Sequence, residues 1–352
     1  MQIRRVILKG VRNFVDFDYS FEDSWSGRVP EALLLIGPNG SGKTTLLNVI
    51  ADLWQVLANS LREDEAMLIP GSILPYCNFA AVEIVGLEHE PVWICSGIER
   101  TLWEVVAAQT DSHRIGAFPA RLGLPPYRYY SGPGATEIEK IDQLADWQRE
   151  LAQRLTENLL GKRQDLSNMV YLESESRVML PVNEKFSVQP EPDEFRWLAR
   201  YEPTNSRKGS LQNYLYNLKV VDDKSFQQIV EQVNAFLIGK KLDGFDRRTG
   251  DLLVEIEGRG KHSITELSSG EKQVLLMLAT VTRWLRPGGI VLIDEPDLHL
   301  HASLTTAFVS HLRRMVSAKD GQLLIASHAP ELWQDFTTSH RVELGRVGEV
   351  AR

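Results

Sequence analysis

Apolar positions fall into two rhythms along the chain. Segments 31–37 (EALLLIG), 288–296 (GGIVLIDEP) and 322–327 (QLLIAS) are nearly continuous apolar runs, the signature of strands buried on both faces of a parallel sheet. Between and around them the spacing becomes helical. Leu46, Leu47, Ile50, Leu53 and Leu57 make one stripe, and helices are also predicted near 270–285 and 302–318. The opening QIRRVILKGVRNFVDFDYSF alternates partially and reads as two strands meeting near Arg12 and Asn13. Residues 80–98 read as a hairpin, and strands are also predicted at 127–132 and 251–258. Strands alternating with helices predict an α/β fold with a mostly parallel core sheet, preceded by an antiparallel β-subdomain.

From about Thr136 the pattern turns helical. Ile138, Ile141, Leu144, Leu151 and Leu155 form a stripe within 136–168 that would be about 50 Å long if wholly helical. Leu211, Leu215 and Leu218, then Phe226, Ile229, Val233, Phe236 and Leu237, continue the theme. The expected organisation is an N-terminal lobe at 1–134, a helical insertion or arm at 135–240 and a C-terminal lobe at 241–352.

Composition narrows the function classes. The chain has 352 residues and a net charge of −8, which argues against a protein that coats nucleic acid, although a local basic face is compatible. The basic pairs Arg4–Arg5, Arg207–Lys208, Lys240–Lys241, Arg247–Arg248 and Arg313–Arg314 could line such a face or simply be solvated charge. Cys77 and Cys95 lack metal spacing and read as reduced thiols. The N-terminus carries no apolar signal region, and no run approaches the roughly 20 apolar residues a membrane span needs. A cytoplasmic protein without membrane contact is expected.

The chemistry begins at GPNGSGKT, residues 37–44, which fits the phosphate-loop pattern between a predicted strand and a predicted helix. Gly37, Gly40 and Gly42 permit positive φ. Together with Pro38, Asn39 and Ser41 they form a loop whose backbone N–H groups can face phosphates at a helix N-terminus. Lys43 would neutralise the β- and γ-phosphates, Thr44 would ligate Mg²⁺, and Thr45 would reach the α-phosphate region. ATP with Mg²⁺ is the expected ligand. At the end of the later apolar strand, Asp294 would hold Mg²⁺ through water and Glu295 would act as general base.

With the phosphate loop, three further motifs in order resemble those of ATP-binding-cassette (ABC) ATPases. ELSSGEKQ (266–273) resembles the signature motif, with Ser269 where glycine is usual. DLHLH (297–301) resembles the D-loop, and ASHAP (326–330) resembles the switch segment around His328. The resemblance implies a P-loop ABC-type head hydrolysing ATP sandwiched in a head-to-tail homodimer or higher homo-oligomer. Ser268 and Gly270 would touch the γ-phosphate of the partner's nucleotide, and His328 would position that phosphate and water. Ser268 or Ser269 could equally serve as a helix cap. Arg12 lies where related chromosome-maintenance ATPases place a basic residue near the nucleotide. Gln109, Gln143 and Gln148 are all open as the family's glutamine loop.

The separation of Lys43 from Ser268 exceeds that of transport cassettes. LKGVRNFVDFDYSF, LIDEPDLHLH and SHAP together resemble the RecF, Rad50, SMC and OLD (overcoming-lysogenisation-defect) group, and YLESESRVMLP (171–181), followed by a helical stretch and the signature, resembles the stand-alone prokaryotic AAA-type ATP-binding proteins of that last family. That resemblance implies ATP-driven dimerisation controlling a separate effector, a nuclease or toxin, in antiphage defence. A DNA-repair ATPase of the RecF/SMC type and the energising subunit of a transporter are the alternatives, and DNA contact is possible. The stretch after His328 is too short for the Toprim nuclease of full-length OLD proteins, so no nuclease is expected here. A zinc site at His299 and His301 is disfavoured, because no cysteine lies nearby.

Overall fold

The computed structural model describes residues 1–61, 72–98, 113–121, 124–131, 146–163, 165–177, 193–201, 211–246, 248 and 251–345. Its centre is a six-stranded sheet in the order Arg341–Glu343, Ala32–Ile36, Gln322–Ala326, Ile290–Asp294, Met169–Leu172 and Leu198–Arg200. Every neighbouring pair in it is parallel. A second six-stranded sheet orders Phe14–Ser20, Gln2–Val11, Phe79–Val85, Val92–Ser96, His113–Arg121 and Leu124–Ser131. It is antiparallel except where Val92–Ser96 runs parallel to His113–Arg121. A small antiparallel sheet comprises Lys240–Phe245, Leu252–Ile256 and Gly260–Ser263. The molecule is a P-loop-like α/β fold with a parallel core sheet, an N-terminal antiparallel subdomain and helical insertions.

Successive side chains of a strand point to opposite faces, and the core sheet uses both faces. Leu33 and Leu35, Ile290 and Leu292, and Leu324 and Ala326 face one core. There they meet the helix Lys43–Leu61 and the antiparallel sheet. Leu34 and Ile36, Val291 and Ile293, and Leu323 and Ile325 face the other, packed with the helices Leu211–Val221, Asp223–Asn234, Ser269–Trp284 and Ala302–Ser317. This double burial is why these strands read as unbroken apolar runs. Gln322 crosses between layers: its Oε1 accepts from the Ile3 amide at 2.7 Å and its Nε2 donates to the Pro30 carbonyl at 3.1 Å.

The long helix expected over 136–168 is a correction. Residues 136–145, with Ile138, Ile141 and Leu144, lie outside the described residues, and the helix present is Asp146–Leu159. It ends in a reciprocal C-cap. The Gly161 amide donates to the Asn158 carbonyl at 3.0 Å and the Lys162 amide to Glu157 at 2.8 Å, with Gly161 left-handed at φ 71°. Leu151 and Leu155 are buried in the first core. The described helix therefore lies against the body, and residues 160–163 and 165–168 beyond it are not helical. The range 135–240, read as helical, also supplies two strands of the core sheet, Met169–Leu172 and Leu198–Arg200.

Candidate functional site

The carboxyl ends of the parallel strands converge on the phosphate loop, the position where open α/β sheets bind ligands. Strand Ala32–Ile36 runs into the loop, which passes into helix Lys43–Leu61. Gly37, Gly40 and Gly42 all take positive φ, at 151°, 78° and 101°. Gly42 is constrained twice, because a Cβ there would stand 2.6 Å from the Phe14 ring. That ring opens the second strand, Phe14–Ser20, just after the turn whose Asn13 Nδ2 donates to the Gly40 carbonyl. Arg12 sits exposed on the same turn in a left-handed conformation, φ 47°. Pro38, Asn39, Gly40 and Thr44 are exposed, whereas Ser41, Lys43 and Thr45 are buried.

Lys43 is 4% exposed, and its Nζ donates to the carbonyls of Gly37 at 2.9 Å and Pro38 at 3.2 Å. Burial pushes its ammonium below the ordinary lysine range, opposed by the charges of Glu295, Asp294 and Asp297. Nζ also lies 3.4 Å from His328 Nδ1, and His328 Nε2 lies 3.2 Å from Glu295 Oε1. An ammonium can only donate, so Nδ1 is the accepting nitrogen and Nε2–H faces the carboxylate. Lys43, His328 and Glu295 thus form one chain of polar contacts across three loops.

Asp294 is 1% exposed. Its carboxylate accepts from the Thr44 hydroxyl at 2.9 and 3.1 Å and from the Ser174 hydroxyl at 2.8 Å. A carboxylate and a hydroxyl are hard oxygen donors of the kind Mg²⁺ selects, so Thr44 and Asp294 fit a Mg²⁺ site. Among the described residues the Ser41 hydroxyl, buried in the loop, has no partner, an orphan that a phosphate oxygen would satisfy. Glu295 departs from the strand with φ 47°, and its amide donates to the Ala326 carbonyl at 2.7 Å. Ser327 ties the D-loop to the switch segment: its hydroxyl donates to Asp297 Oδ1 at 2.5 Å and accepts from the Ala329 amide at 2.9 Å.

Ser268 is exposed as the N-cap of helix Ser269–Trp284 in a capping box. The Glu271 amide donates to its Oγ at 3.3 Å, and its own amide donates to Glu271 Oε2 at 2.7 Å. Lys240 holds Glu271 at 2.8 Å. Gly270 lies against the D-loop, where a Cβ would meet the His299 carbonyl at 2.5 Å. Within one chain Ser268 and Gly270 are therefore engaged with their own cap and D-loop, and none of their described bonds reaches the phosphate loop. His301 caps helix Ala302–Ser317 by accepting from the Ser303 amide at 3.4 Å. Among the described residues no group of three or more His, Cys, Asp or Glu is placed to hold a metal.

Residues 173–177 contribute what sequence reasoning missed. Ser174 reaches Asp294, and Arg177 donates to the carbonyls of Asp294 and Glu295 at 2.5 and 2.7 Å. Gln148 is buried in helix Asp146–Leu159, and Gln109 and Gln143 lie outside the described residues. Several basic pairs are engaged within the chain. Arg4 bonds Glu83 at 2.8 Å, Arg5 bonds Asp18 at 2.7 Å and Arg313 donates to the Asp335 carbonyl at 2.9 Å. Arg207, Lys208 and Arg247 lie outside the described residues. No described helix is long and apolar enough to cross a membrane.

Residues 126–333 match the family described as "AAA domain, putative AbiEii toxin, Type IV TA system". The match begins after the phosphate loop and spans the signature, the acidic strand end and His328. The chain is similar to "Retron Ec83 probable ATPase" of Escherichia coli, 29% identical over 38% of this chain and 28% of that protein. It thus spans little more than a quarter of that relative. It is also similar to "Retron Vc95 probable ATPase" of Vibrio cholerae serotype O1 biovar El Tor, 24% identical over 95% of this chain and 73% of that protein. Among solved structures, an SMC head bound to the C-terminal winged-helix domain of ScpA shares the fold, with TM-score 0.52 and 12% identity over 100% of this chain and 97% of that one. These likenesses fall within the group of P-loop ATPases that the motifs resemble.

Proposed function

The chain belongs to this AAA-domain family, and from that premise we propose that it binds ATP with Mg²⁺, hydrolyses it, and uses an ATP-bound dimer to control a separate effector in antiphage defence. The observation that carries the reading is the convergence at one sheet end of two hydrogen-bonded sets, Lys43–His328–Glu295 and Thr44–Asp294. Family membership implies nucleotide binding, and the retron ATPases to which the chain is similar support the defence role.

In this reading the loop amides and Lys43 bind the triphosphate. Its arrival draws Lys43 Nζ off the Gly37 and Pro38 carbonyls and gives the Ser41 hydroxyl a partner. Thr44 and Asp294 would hold Mg²⁺, which when bound would supply positive charge to the triphosphate. Glu295 orients a water and takes its proton, while His328 Nε2–H steadies that carboxylate until the phosphate competes for the imidazole. Ser268 and Gly270 present the N-terminus of their helix to the nucleotide held by a second copy. The effector, a nuclease or toxin, is a separate chain, and any DNA contact is made by the assembled dimer.

Phosphate release and sedimentation test this. Glu295→Gln is expected to lower turnover by about 10²–10⁴-fold, the range for a lost general base, while retaining ATP and accumulating as a dimer with Mg-ATP. Lys43→Ala is expected to weaken ATP binding by roughly 10- to 100-fold, as a lost charge-assisted contact does. Wild-type protein that neither binds ATP nor releases phosphate overturns the enzymatic reading. A Glu295→Gln protein that stays monomeric with bound ATP overturns the dimer.

A further inference from the structure

Arg177 follows the core strand Met169–Leu172 and is 2% exposed. Its guanidinium makes four described hydrogen bonds, none to a carboxylate. Nη1 donates to the carbonyls of Leu172 at 3.1 Å and Asp294 at 2.5 Å, and Nη2 donates to the Glu295 carbonyl at 2.7 Å. Nε donates to Gln273 Oε1 at 2.8 Å, and Gln273 Nε2 donates back to the Arg177 carbonyl at 2.5 Å. Burial pushes the guanidinium down to about 10, opposed by Asp294, Asp297 and Glu295, so it stays charged at neutral pH. A buried cation is costly unless its donors are satisfied, and here, beside one bond to Leu172 of the preceding strand, the donors lead to two places.

The first is the corner that carries Glu295. A non-glycine residue at φ 47° is strained and needs surrounding structure to hold it. Arg177 grips the carbonyls of Asp294 and Glu295, which flank the Glu295 Cα on either side. The second is Gln273, on the first turns of the helix whose N-cap is Ser268. One planar fork therefore spans the acidic corner and the signature helix, a geometry that lysine, a point donor, does not reproduce.

We propose that Arg177 is a positioning residue that sets the Glu295 carboxylate and, through Gln273, couples it to the signature helix presented to a second copy. The inference rests on the ATPase reading above and goes beyond it by naming the link between the two halves of the site. A merely structural arginine would affect stability without separating binding from turnover.

The test uses full-length Arg177→Lys, Gln273→Met and the double variant, with folding checked by thermal melting. Three readouts are compared: binding of a fluorescent ATP analogue, phosphate release, and hydrogen exchange with and without Mg-ATP. ATP affinity is expected to stay within about threefold of wild type, because the phosphate loop is untouched. Turnover should fall at least ~10-fold in Arg177→Lys, the scale of a misplaced catalytic group. The double variant should be no slower than Arg177→Lys alone, the non-additivity of a shared pathway. In Gln273→Met, slowing of exchange by Mg-ATP should persist at 39–46 and be lost at 268–275. Turnover within about twofold of wild type in both single variants, or losses that simply add, overturns the proposal. If Arg177→Lys fails to fold, Gln273→Met decides alone, since it leaves the three carbonyl bonds in place. Failure of the ATPase reading shows separately, as wild-type protein without ATP binding or turnover, and withdraws the proposal with it.

Discussion

Two loop residues illustrate how much rests on single atoms. Gly40 and Gly42 are both left-handed, but a Cβ at Gly40 meets open space while one at Gly42 meets the Phe14 ring at 2.6 Å. Gly40→Ala should therefore cost about 1–2 kcal/mol, the conformational term alone. Gly42→Ala should cost clearly more in urea unfolding, because the Phe14 ring must also move. Equal costs would mean that the ring yields freely. Lys43 carries a pH dependence of definite sign. Burial lowers its pKa in the free protein, and a bound triphosphate beside it restores the charged form. The complex then holds more protons than the free protein, so ATP affinity weakens as pH rises through the lowered Lys43 pKa. Calorimetric titration from neutral to alkaline pH should show this in wild type and not in Lys43→Ala.

Among the elements, the central helix is locked to the edge of the core sheet by a pair of tryptophans. Trp54 and Trp197 stack at 3.8 Å between ring centroids, and each indole N–H donates to the other's backbone carbonyl at 3.0 Å. Both are buried. Trp197→Phe keeps most of the ring contact and removes one hydrogen bond, so about 1 kcal/mol is expected. Trp197→Ala opens a cavity and should cost about 3–5 kcal/mol. Urea unfolding of the two variants checks the ratio. The same elements show what could be read beforehand. Ala32–Ile36, Ile290–Asp294 and Gln322–Ala326 were legible because double burial writes an uninterrupted apolar run. Met169–Leu172 and Leu198–Arg200 were not, because they are short and flanked by helical spacing, and only their parallel neighbours make them strands. The phosphate loop and acidic corner were legible as local motifs. Ser174, Arg177 and Gln273 were not, since they reach partners about a hundred residues away whose proximity exists only in the folded sheet.

At the scale of the whole molecule, the question is where the second half of the site comes from. In one chain the signature segment is occupied with its own capping box and D-loop, while Ser268 and the tip of the phosphate loop are both exposed. In the proposed symmetric pair the same two patches meet twice, so each nucleotide would have a loop from one copy and a helix start from the other. Mixing distinguishes this from a site complete in one chain. Lys43→Ala spoils the loop and leaves the helix start intact. Ser268→Arg spoils the helix start with bulk and leaves the loop intact. Each variant alone should release almost no phosphate. In an equal mixture, half the dimers combine one intact loop with one intact helix start, so activity should return to about a quarter of wild type for independent sites. A mixture as inactive as its components would place the whole site within a single chain and remove the reason for dimerisation. Recovery should also fall on dilution, because the composite site exists only while two copies are together.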